Sequence, residues 1–270
     1  GRATKGTLPR SASFFELLEV DFPHWHPAAN AREMIEASAL QGVPHGTTVL
    51  AMRYADGVLM AGDRLATEGH RVASRDLQKV YPTDAHSLVA IAGAAGPAIE
   101  MARMLRIELE HYEKIEGEAL ELEGKANKLS QMVRANLPAA MQGLVVVPIF
   151  AGYDLRRRLG RLWKYDVTGG RYEEAEFESS GSGSLYARES IKKAWRSDLS
   201  RDEALRISLQ ALADAADEDR ATGGVDLARG IFPIVCFCND AGVAEVSREE
   251  IERTYREHVA IARQRVGAGG

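Results

Sequence analysis

Residues 46–64 read Gly46-Thr-Thr-Val-Leu-Ala-Met-Arg-Tyr-Ala-Asp-Gly-Val-Leu-Met-Ala-Gly-Asp-Arg64. β-Branched and apolar residues dominate Thr47–Tyr54 and Val58–Ala61, and an Asp56-Gly57 pair separates the two runs. Because Asp-Gly favours the tight turns that join antiparallel strands, this segment is predicted to be a β-hairpin. The hairpin begins directly at a Gly-Thr junction.

The residues before this hairpin have a different composition. Ser, Pro and His interrupt residues 1–46, where only Phe14–Leu18 and Ala31–Leu40 show short helical periodicity. Residues 1–10 are polar, and an acidic residue interrupts the apolar run that follows, so a secretory signal peptide is not expected. We therefore expect residues 1–46 to be an appendage to the folded domain.

The residues after the hairpin alternate between groups of strands and pairs of helices. Strands are predicted at Ser87–Ala92, Leu144–Tyr153, Arg161–Phe177 (a hairpin around Gly169-Gly170), Ile231–Cys238 and Gly242–Val246. Helices are predicted at Pro97–Lys114, Lys125–Met141, Leu185–Trp195, Arg201–Asp219 and Arg248–Arg265. This order argues against a doubly wound parallel sheet and favours an α+β fold, with antiparallel sheets packed face to face between helix layers.

Composition excludes several classes of protein. Hydrophobic residues make up 45% of the 270 residues and charged residues 27%, which is typical of a folded globular chain. The net charge of −5 gives no long-range attraction for nucleic acid or for an anionic membrane. The longest uncharged stretch, Ala135–Tyr153, contains two prolines and two glycines, and we interpret it as a helix end and a buried strand rather than a membrane span.

The two cysteines indicate packing rather than chemistry. Cys236 and Cys238 lie two residues apart in an apolar run, so on a strand they would share one face while Phe237 occupies the other. This spacing does not match a redox or zinc motif, and unpaired cysteines fit a reducing compartment. We expect a cytoplasmic protein.

Two motifs could indicate a dinucleotide site and a metal site, but the surrounding sequence disfavours both interpretations. Residues 181–187, Gly-Ser-Gly-Ser-Leu-Tyr-Ala, match a dinucleotide-binding pattern, but the acidic, alternating segment before them is not a buried parallel strand. His24 and His26 could be half of a metal site, but no third ligand stands at a suitable spacing. A loop is the preferred interpretation of the histidine pair.

A more specific signal is distributed along the chain. Thr47 opens a strand, Asp63 closes the next strand, Lys79 stands alone in an apolar segment, and Gly93 ends a further strand. Each residue alone has an ordinary structural explanation, such as a turn aspartate or a lysine whose stem lies along apolar surface. Their combination and order carry more information than any single residue.

From Thr47 to about Asp240 the chain resembles proteasome β-subunits of the actinobacterial type, which are N-terminal threonine proteases. The matching motifs are Gly46-Thr-Thr48, Gly62-Asp-Arg64 with Thr67, Arg75-Asp76 through Lys79-Val-Tyr81, Ile91-Ala-Gly93, Gly181-Ser-Gly-Ser184 and Asp219-Arg-Ala-Thr-Gly-Gly224. One position departs from the family pattern, because Thr222 stands where the family usually has serine. Both residues supply a hydroxyl group, so the role survives in principle.

The resemblance implies a role for each matching residue. Cleavage between Gly46 and Thr47 would give Thr47 a free α-amine, whose ordinary pKa of about 8 suits a general base for its own hydroxyl. Lys79 would stabilise the developing alkoxide and Asp63 would hold Lys79, while the Gly93 N–H group would bind the oxyanion. The residues implied to orient the amine are Ser182, Asp219 and Thr222.

The resemblance also implies a substrate site. Thr67 and Ala95 would bond the substrate backbone as an added strand. An apolar pocket for the side chain before the cleaved bond would be lined by Ala66, Leu77, Ile91, Ala95 and Ile99.

The fold that the resemblance implies is a four-layer αββα sandwich of the N-terminal nucleophile hydrolase class. Residues 1–46 would be a propeptide, and residues 47–270 would be the catalytic domain with a C-terminal helix and a short flexible tail. The implied activity is that of a threonine endopeptidase, the catalytic β-subunit of a bacterial 20S proteasome. It would degrade unfolded intracellular proteins after autocatalytic removal of the propeptide, without a metal or an organic cofactor.

The implied partners are a homo-heptameric β-ring, α-subunit rings, a ring ATPase and unfolded substrates, in some cases tagged with a ubiquitin-like protein. Nucleic acid and membrane are not among them. Two alternatives stay open: the two-ring bacterial threonine peptidase, disfavoured by the 46-residue leader, and a non-catalytic ring subunit, disfavoured by the joint presence of Thr47, Asp63 and Lys79.

Overall fold

The computed structural model describes residues 46–68 and 71–260. Its strands are β1 (Thr48–Tyr54), β2 (Gly57–Gly62), β3 (Ala66–Glu68), β4 (Arg71–Ser74), β5 (Val80–Asp84), β6 (Ser87–Gly93), β7 (Val146–Asp154), β8 (Leu159–Tyr165), β9 (Arg171–Glu174), β10 (Phe177–Gly181), β11 (Ile234–Asn239) and β12 (Gly242–Glu245). Its helices are α1 (Ala95–Glu116), α2 (Leu122–Ala135), α3 (Leu137–Ala140), α4 (Ser184–Ala194), α5 (Arg201–Glu218) and α6 (Arg248–Thr254), which continues as a π-helix over Tyr255–Ala260.

Two five-stranded antiparallel sheets form the centre of the fold. The first sheet has the strand order β10-β1-β2-β11-β12, and the second has the order β5-β6-β7-β8-β9. Strands β3 and β4 form a separate two-stranded hairpin. The β1–β2 hairpin predicted from sequence is therefore the middle of the first sheet.

Strand β1 shows why this hairpin is apolar throughout. Successive side chains on a strand point to opposite faces. Val49 and Ala51 pack between the two sheets, whereas Leu50 and Met52 pack against helices on the outer face. A strand that is covered on both sides needs apolar residues at every position, not at alternate ones.

Helix layers cover both outer faces. Helices α4, α5 and α6 pack on the first sheet, and helices α1 and α2 pack on the second. Helix α1 buries Ala98, Met101, Ala102, Leu105 and Leu109, a spacing of three or four residues that gives one apolar stripe. The four layers are thus α, β, β and α, which confirms the predicted α+β sandwich.

The sequence predictions of the elements need four corrections. Strand β5 and the β3–β4 hairpin were not predicted. The predicted helix Lys125–Met141 is two helices, because α2 ends at Ala135 and Pro138 lies in the first turn of α3. The predicted hairpin Arg161–Phe177 ends earlier, since β9 ends at Glu174 and Phe177 begins a strand of the other sheet.

The cysteine prediction is confirmed. Cys236 and Cys238 are free and buried between the two sheets, and Phe237 packs on the opposite face of β11. Burial raises the pKa of each thiol to about 12. Both thiols therefore stay protonated and serve as small apolar side chains.

Ala135–Tyr153 forms the end of α2, helix α3 and most of strand β7, in agreement with the prediction for this uncharged stretch. Within the described part of the chain, no helix is both long and apolar enough to cross a membrane. The predicted leader and the predicted C-terminal tail lie outside the described residues, apart from Gly46.

Candidate active site

Thr47 lies immediately before β1, and the first sheet fixes its backbone. Its carbonyl oxygen accepts a hydrogen bond of 2.9 Å from the Ser182 N–H group, where β10 runs beside β1. Gly181 makes this approach possible, because its φ is +105° and an added Cβ would lie 1.9 Å from the Thr47 carbonyl oxygen. Glycine is required at this position on both grounds.

The Thr47 hydroxyl lies beside the peptide bond that precedes it. It donates a hydrogen bond of 2.6 Å to the Gly46 carbonyl oxygen, and the Thr47 side chain is buried. The nitrogen of Thr47 belongs to the peptide bond with Gly46. The hydroxyl and its neighbouring carbonyl thus share one enclosed space.

Lys79 is a buried cation immediately before β5. Its Nζ donates to Asp63 Oδ1 at 2.7 Å, to the Leu65 carbonyl oxygen at 2.5 Å and to the Gly46 carbonyl oxygen at 3.3 Å. All three partners are acceptors, which favours the ammonium form with its three N–H groups. Burial lowers the pKa of Lys79, and the Asp63 carboxylate opposes that decrease.

Asp63 follows the last residue of β2 and holds Lys79 in place. Its Oδ1 also accepts from the Thr48 N–H group at 2.8 Å, and its Oδ2 accepts from the N–H groups of Leu65 and Gly223 at 2.9 and 2.8 Å. Four donors therefore fix a carboxylate whose side chain is fully buried. Such an arrangement compensates a buried charge and leaves the carboxylate little freedom to move.

Ser182, Asp219 and Thr222 lie together in the structure. Asp219 Oδ2 accepts hydrogen bonds from the Ser182 hydroxyl at 2.5 Å and from the Thr222 hydroxyl at 2.6 Å. The Ser182 hydroxyl also lies 3.4 Å from the Thr47 carbonyl oxygen. Loop residues from two distant parts of the sequence thus form one polar cluster against the backbone of Thr47.

One cavity brings together all but one of the residues that were predicted to form the substrate site. Thr47, Lys79 and Gly93 line it, together with all five residues of the predicted apolar pocket, Ala66, Leu77, Ile91, Ala95 and Ile99. Gly93 has a φ of +113°, and an added Cβ would lie 2.1 Å from the Val145 carbonyl oxygen, so no larger residue fits there. Thr67 is in β3 and is not among the residues that line the cavity.

Some residues of the site were not predicted from sequence. Gln78, Tyr81 and Ala98 also line the cavity, Leu65 contributes a carbonyl oxygen to Lys79, and the Thr48 hydroxyl contacts the Thr222 hydroxyl at 2.6 Å. The helical spacing of Ala98 from Ala95 was a usable signal for one of them. The Leu65 group is a backbone carbonyl, and residue type does not indicate which carbonyl will bind a cation.

The dinucleotide interpretation of residues 181–187 does not agree with the structure. Gly181 ends the antiparallel strand β10, and Ser184 begins α4, so no parallel strand precedes the helix. Within the described residues, no group of three or more His, Cys, Asp or Glu could hold a metal ion. His24 and His26 lie outside those residues.

Gly46 is closely packed, which gives a first testable prediction. A Cβ at this position would lie 2.5 Å from Thr67 Oγ1 and 2.6 Å from the backbone oxygen of Ala221. The substitution Gly46→Ala should displace the Gly46 carbonyl from Thr47 and slow cleavage after residue 46 by about 10²-fold. Gel electrophoresis of the full chain against time measures this rate.

The matched control for this prediction is Gly96→Ala, because an added Cβ at Gly96 meets no atom within 4 Å. Gly46→Ala chains that have lost residues 1–46 should have the parent's specific activity, since the residues from Thr47 onwards are unchanged. Cleavage of Gly46→Ala at the parent's rate would contradict the role assigned to this packing.

The fold and the site together define a class of protein. Two antiparallel sheets between helix layers are the fold of the N-terminal nucleophile hydrolases. In this chain a threonine stands just before a central strand, beside a buried Lys–Asp pair. Comparison with known proteins assigns the chain to one family within this class. Residues 43–228 match the family model described as "Proteasome subunit", and the chain belongs to that family.

The chain is similar to several proteasome β-subunits. The chain is 50% identical over 242 residues to "Proteasome subunit beta" of Streptomyces griseus, covering 90% of this chain and 85% of the relative. It is 48% identical to that of Acidothermus cellulolyticus, covering 93% and 88%, and 52% identical to that of Acidimicrobium ferrooxidans, covering 83% and 82%. The chain is thus a proteasome β-subunit of the bacterial 20S type, and its family activity is that of a threonine endopeptidase. Membership implies assembly with α-subunits in the 20S particle.

Proposed function

We propose that Thr47 is the nucleophile of this proteasome β-subunit and that residues 1–46 are a propeptide whose removal activates it. The observation that carries the proposal is the position of the Thr47 hydroxyl, 2.6 Å from the Gly46 carbonyl oxygen, with the Lys79 ammonium on the same oxygen at 3.3 Å. Nucleophile, electrophile and a stabilising cation therefore stand together across the bond that must break.

Removal of the propeptide would use the same hydroxyl as later substrate cleavage. Thr47 Oγ1 attacks the Gly46 carbonyl carbon and its proton passes to the departing nitrogen. The C–N bond breaks, and the acyl group is left on the Thr47 oxygen as an ester. Water then hydrolyses the ester, which releases Gly46 as a carboxylate and leaves Thr47 with its hydroxyl and a free α-amine. The Lys79 cation favours the negative charge that develops on the reacting oxygens.

The mature site would then act on other peptide bonds. The α-amine of Thr47, with an ordinary pKa of about 8, takes the hydroxyl proton as the oxygen attacks the substrate carbonyl. The Gly93 N–H group binds the oxyanion, and Ser182, Asp219 and Thr222 orient the amine. The proposal requires no metal ion and no organic cofactor.

The substrate would lie as an extended strand, with its backbone bonded to Thr67 and Ala95 and the side chain before the cleaved bond in the apolar cavity. The cavity walls support this assignment, because the five predicted wall residues are apolar and line the same cavity as Thr47. The Lys79 ammonium reaches the cavity, but Asp63 and the Leu65 carbonyl oxygen still bind it after Gly46 has left, and its remaining N–H group serves the Thr47 nucleophile. It therefore offers little to an acidic substrate side chain.

A second testable prediction concerns this specificity. Burial of a large apolar side chain gains about 1.5–3 kcal/mol, whereas burial of a charged one loses hydration without gaining a partner. Fluorogenic peptides that differ only in the residue before the cleaved bond should therefore be cleaved faster after leucine, tyrosine or phenylalanine than after arginine or glutamate. Faster cleavage after arginine or glutamate would show that the cavity is not the specificity pocket.

The assembly that we propose is a homo-heptameric β-ring stacked with α-subunit rings. A ring ATPase would deliver unfolded proteins through the α-rings, in some cases marked with a ubiquitin-like protein. We also place the particle in the cytoplasm, where free thiols persist, and the two unpaired cysteines support this choice. Nucleic acid and membranes are not proposed as partners.

Co-expression of the full chain with α-subunits tests the proposed activation. Peptide hydrolysis should rise in step with loss of residues 1–46, as followed by intact mass and by a fluorogenic leucine peptide in the same samples. Full hydrolytic activity in particles that retain the leader would overturn the proposal.

A further inference from the structure

Four hydroxyl and carboxylate groups form a continuous chain of hydrogen bonds beside Thr47. The Gly183 N–H group donates to Thr48 Oγ1 at 3.1 Å, Thr48 Oγ1 and Thr222 Oγ1 are 2.6 Å apart, and Thr222 Oγ1 donates to Asp219 Oδ2 at 2.6 Å. The Ser182 hydroxyl donates to the same carboxylate oxygen from the other side.

The direction of this chain follows from counting protons. An ionised carboxylate only accepts, so the single hydroxyl proton of Thr222 goes to Asp219. The proton between Thr48 and Thr222 must then come from Thr48, which itself accepts from Gly183. Every hydroxyl in this series of hydrogen bonds therefore has one orientation. Thr48 is the residue that fixes the orientation of the Thr222 hydroxyl.

Thr48 lies in closely packed surroundings. Thr48 is fully buried, and a Cβ at Gly183 would lie 2.4 Å from Thr48 Oγ1 and 2.6 Å from Thr222 Oγ1. A glycine is thus needed for residue 183 to lie this close to both hydroxyls. The chain is complete while the Thr47 nitrogen is still bonded to Gly46, so it does not depend on the free amine.

We propose that Thr48 is a positioning residue for catalysis, which acts through Thr222 on the α-amine of Thr47. The Thr222 hydroxyl donates its proton to Asp219 and accepts a hydrogen bond from Thr48 with one lone pair. Only its second lone pair is therefore available to the amine. An N–H group of the amine is directed to that lone pair, which turns the lone pair of the nitrogen towards the Thr47 hydroxyl. This inference rests on the proposed function, in which the amine is the base.

The test compares the assembled, processed particles of four variants with the parent: Thr48→Val, Thr48→Ser, Thr222→Val and the double variant Thr48→Val/Thr222→Val. Thr83→Val is the matched control, because Thr83 is also buried and also bonds another hydroxyl, Ser87 Oγ at 2.7 Å. Thr83 lies in β5 and does not line the cavity that contains Thr47. Size-exclusion chromatography confirms assembly, and kcat and KM are measured with one leucine peptide across a range of pH.

Thr48→Val should lower kcat by about fivefold, the change expected for one hydrogen bond, and leave KM unchanged because Thr48 does not line the cavity. Thr48→Ser should restore kcat. The double variant should lose no more than Thr222→Val alone, because both substitutions break the same chain. The acid limb of kcat/KM should move to higher pH in Thr48→Val, since Thr222 then has a second lone pair that stabilises the protonated amine.

Parent-level kcat in Thr48→Val, additive losses in the double variant, or failure of Thr48→Ser to restore kcat would each overturn the inference. A loss in Thr83→Val equal to that in Thr48→Val would do the same, because it would reduce the effect to general packing. Failure of the proposed function gives a different result, namely turnover in particles of Thr47→Ala.

Discussion

The variant Thr47→Ala should keep residues 1–46 and show no peptide hydrolysis above the background rate. Alanine removes the hydroxyl oxygen that lies 2.6 Å from the Gly46 carbonyl oxygen, and the same oxygen would attack substrates. Loss of a catalytic nucleophile lowers kcat by several orders of magnitude, often about 10⁶-fold. Intact mass of the β-chain and a fluorogenic leucine peptide measure the two losses in one preparation.

The conservative control for this variant is Thr47→Ser, which keeps the hydroxyl and should still remove the leader. Assembly of Thr47→Ala with α-subunits should be preserved, because the Thr47 carbonyl keeps its hydrogen bond to the Ser182 N–H group. Normal removal of the leader from Thr47→Ala would contradict autocatalysis by this residue.

The variant Lys79→Ala should lose turnover by about 10²–10³-fold or more while the fold is kept. The ammonium is the group that stabilises charge on the reacting oxygens, so its loss affects the chemical step. Asp63 stays compensated in part, because three N–H donors, those of Thr48, Leu65 and Gly223, remain on its carboxylate. Turnover per assembled particle measures the effect.

A second buried lysine offers the matched control. Lys125 forms an ion pair with Asp84 at 2.5 Å, is as deeply buried as Lys79 and lies outside the cavity next to Thr47. Lys125→Ala should lower thermal stability, as loss of a buried ion-pair partner does, yet keep turnover per particle. If Lys79→Ala and Lys125→Ala behave alike in turnover, the electrostatic role of Lys79 is wrong.

The fold was largely predictable because its central strands are apolar on both faces. Runs such as Thr47–Tyr54 and Ile231–Cys238 stand out against their turns, and the paired helices between them indicate layers. Strand β5 was missed because it is short and contains Pro82, which cannot donate to a ladder and is tolerated on the edge strand that β5 forms. The change of sheet between β9 and β10 was missed because alternation of residue types continues across it.

The site was predictable where a side-chain type carries the role and is part of a motif, as for Asp63 and Lys79. Backbone groups could not be predicted. The Leu65 carbonyl binds Lys79, but every residue type has a backbone carbonyl, so the sequence does not mark this one. The position of Thr48 in the site was not predicted for another reason. A threonine on a strand is ordinary, and only its position 2.6 Å from the Thr222 hydroxyl distinguishes it.

N-terminal sequencing of the β-chain from purified, active particles tests the central claim most directly. Thr47 can serve as nucleophile and base together only if it becomes the first residue of the mature chain. The expected sequence is Thr47-Thr-Val-Leu50. Active particles whose β-chain begins at any other residue would contradict the assignment of Thr47 as the N-terminal nucleophile.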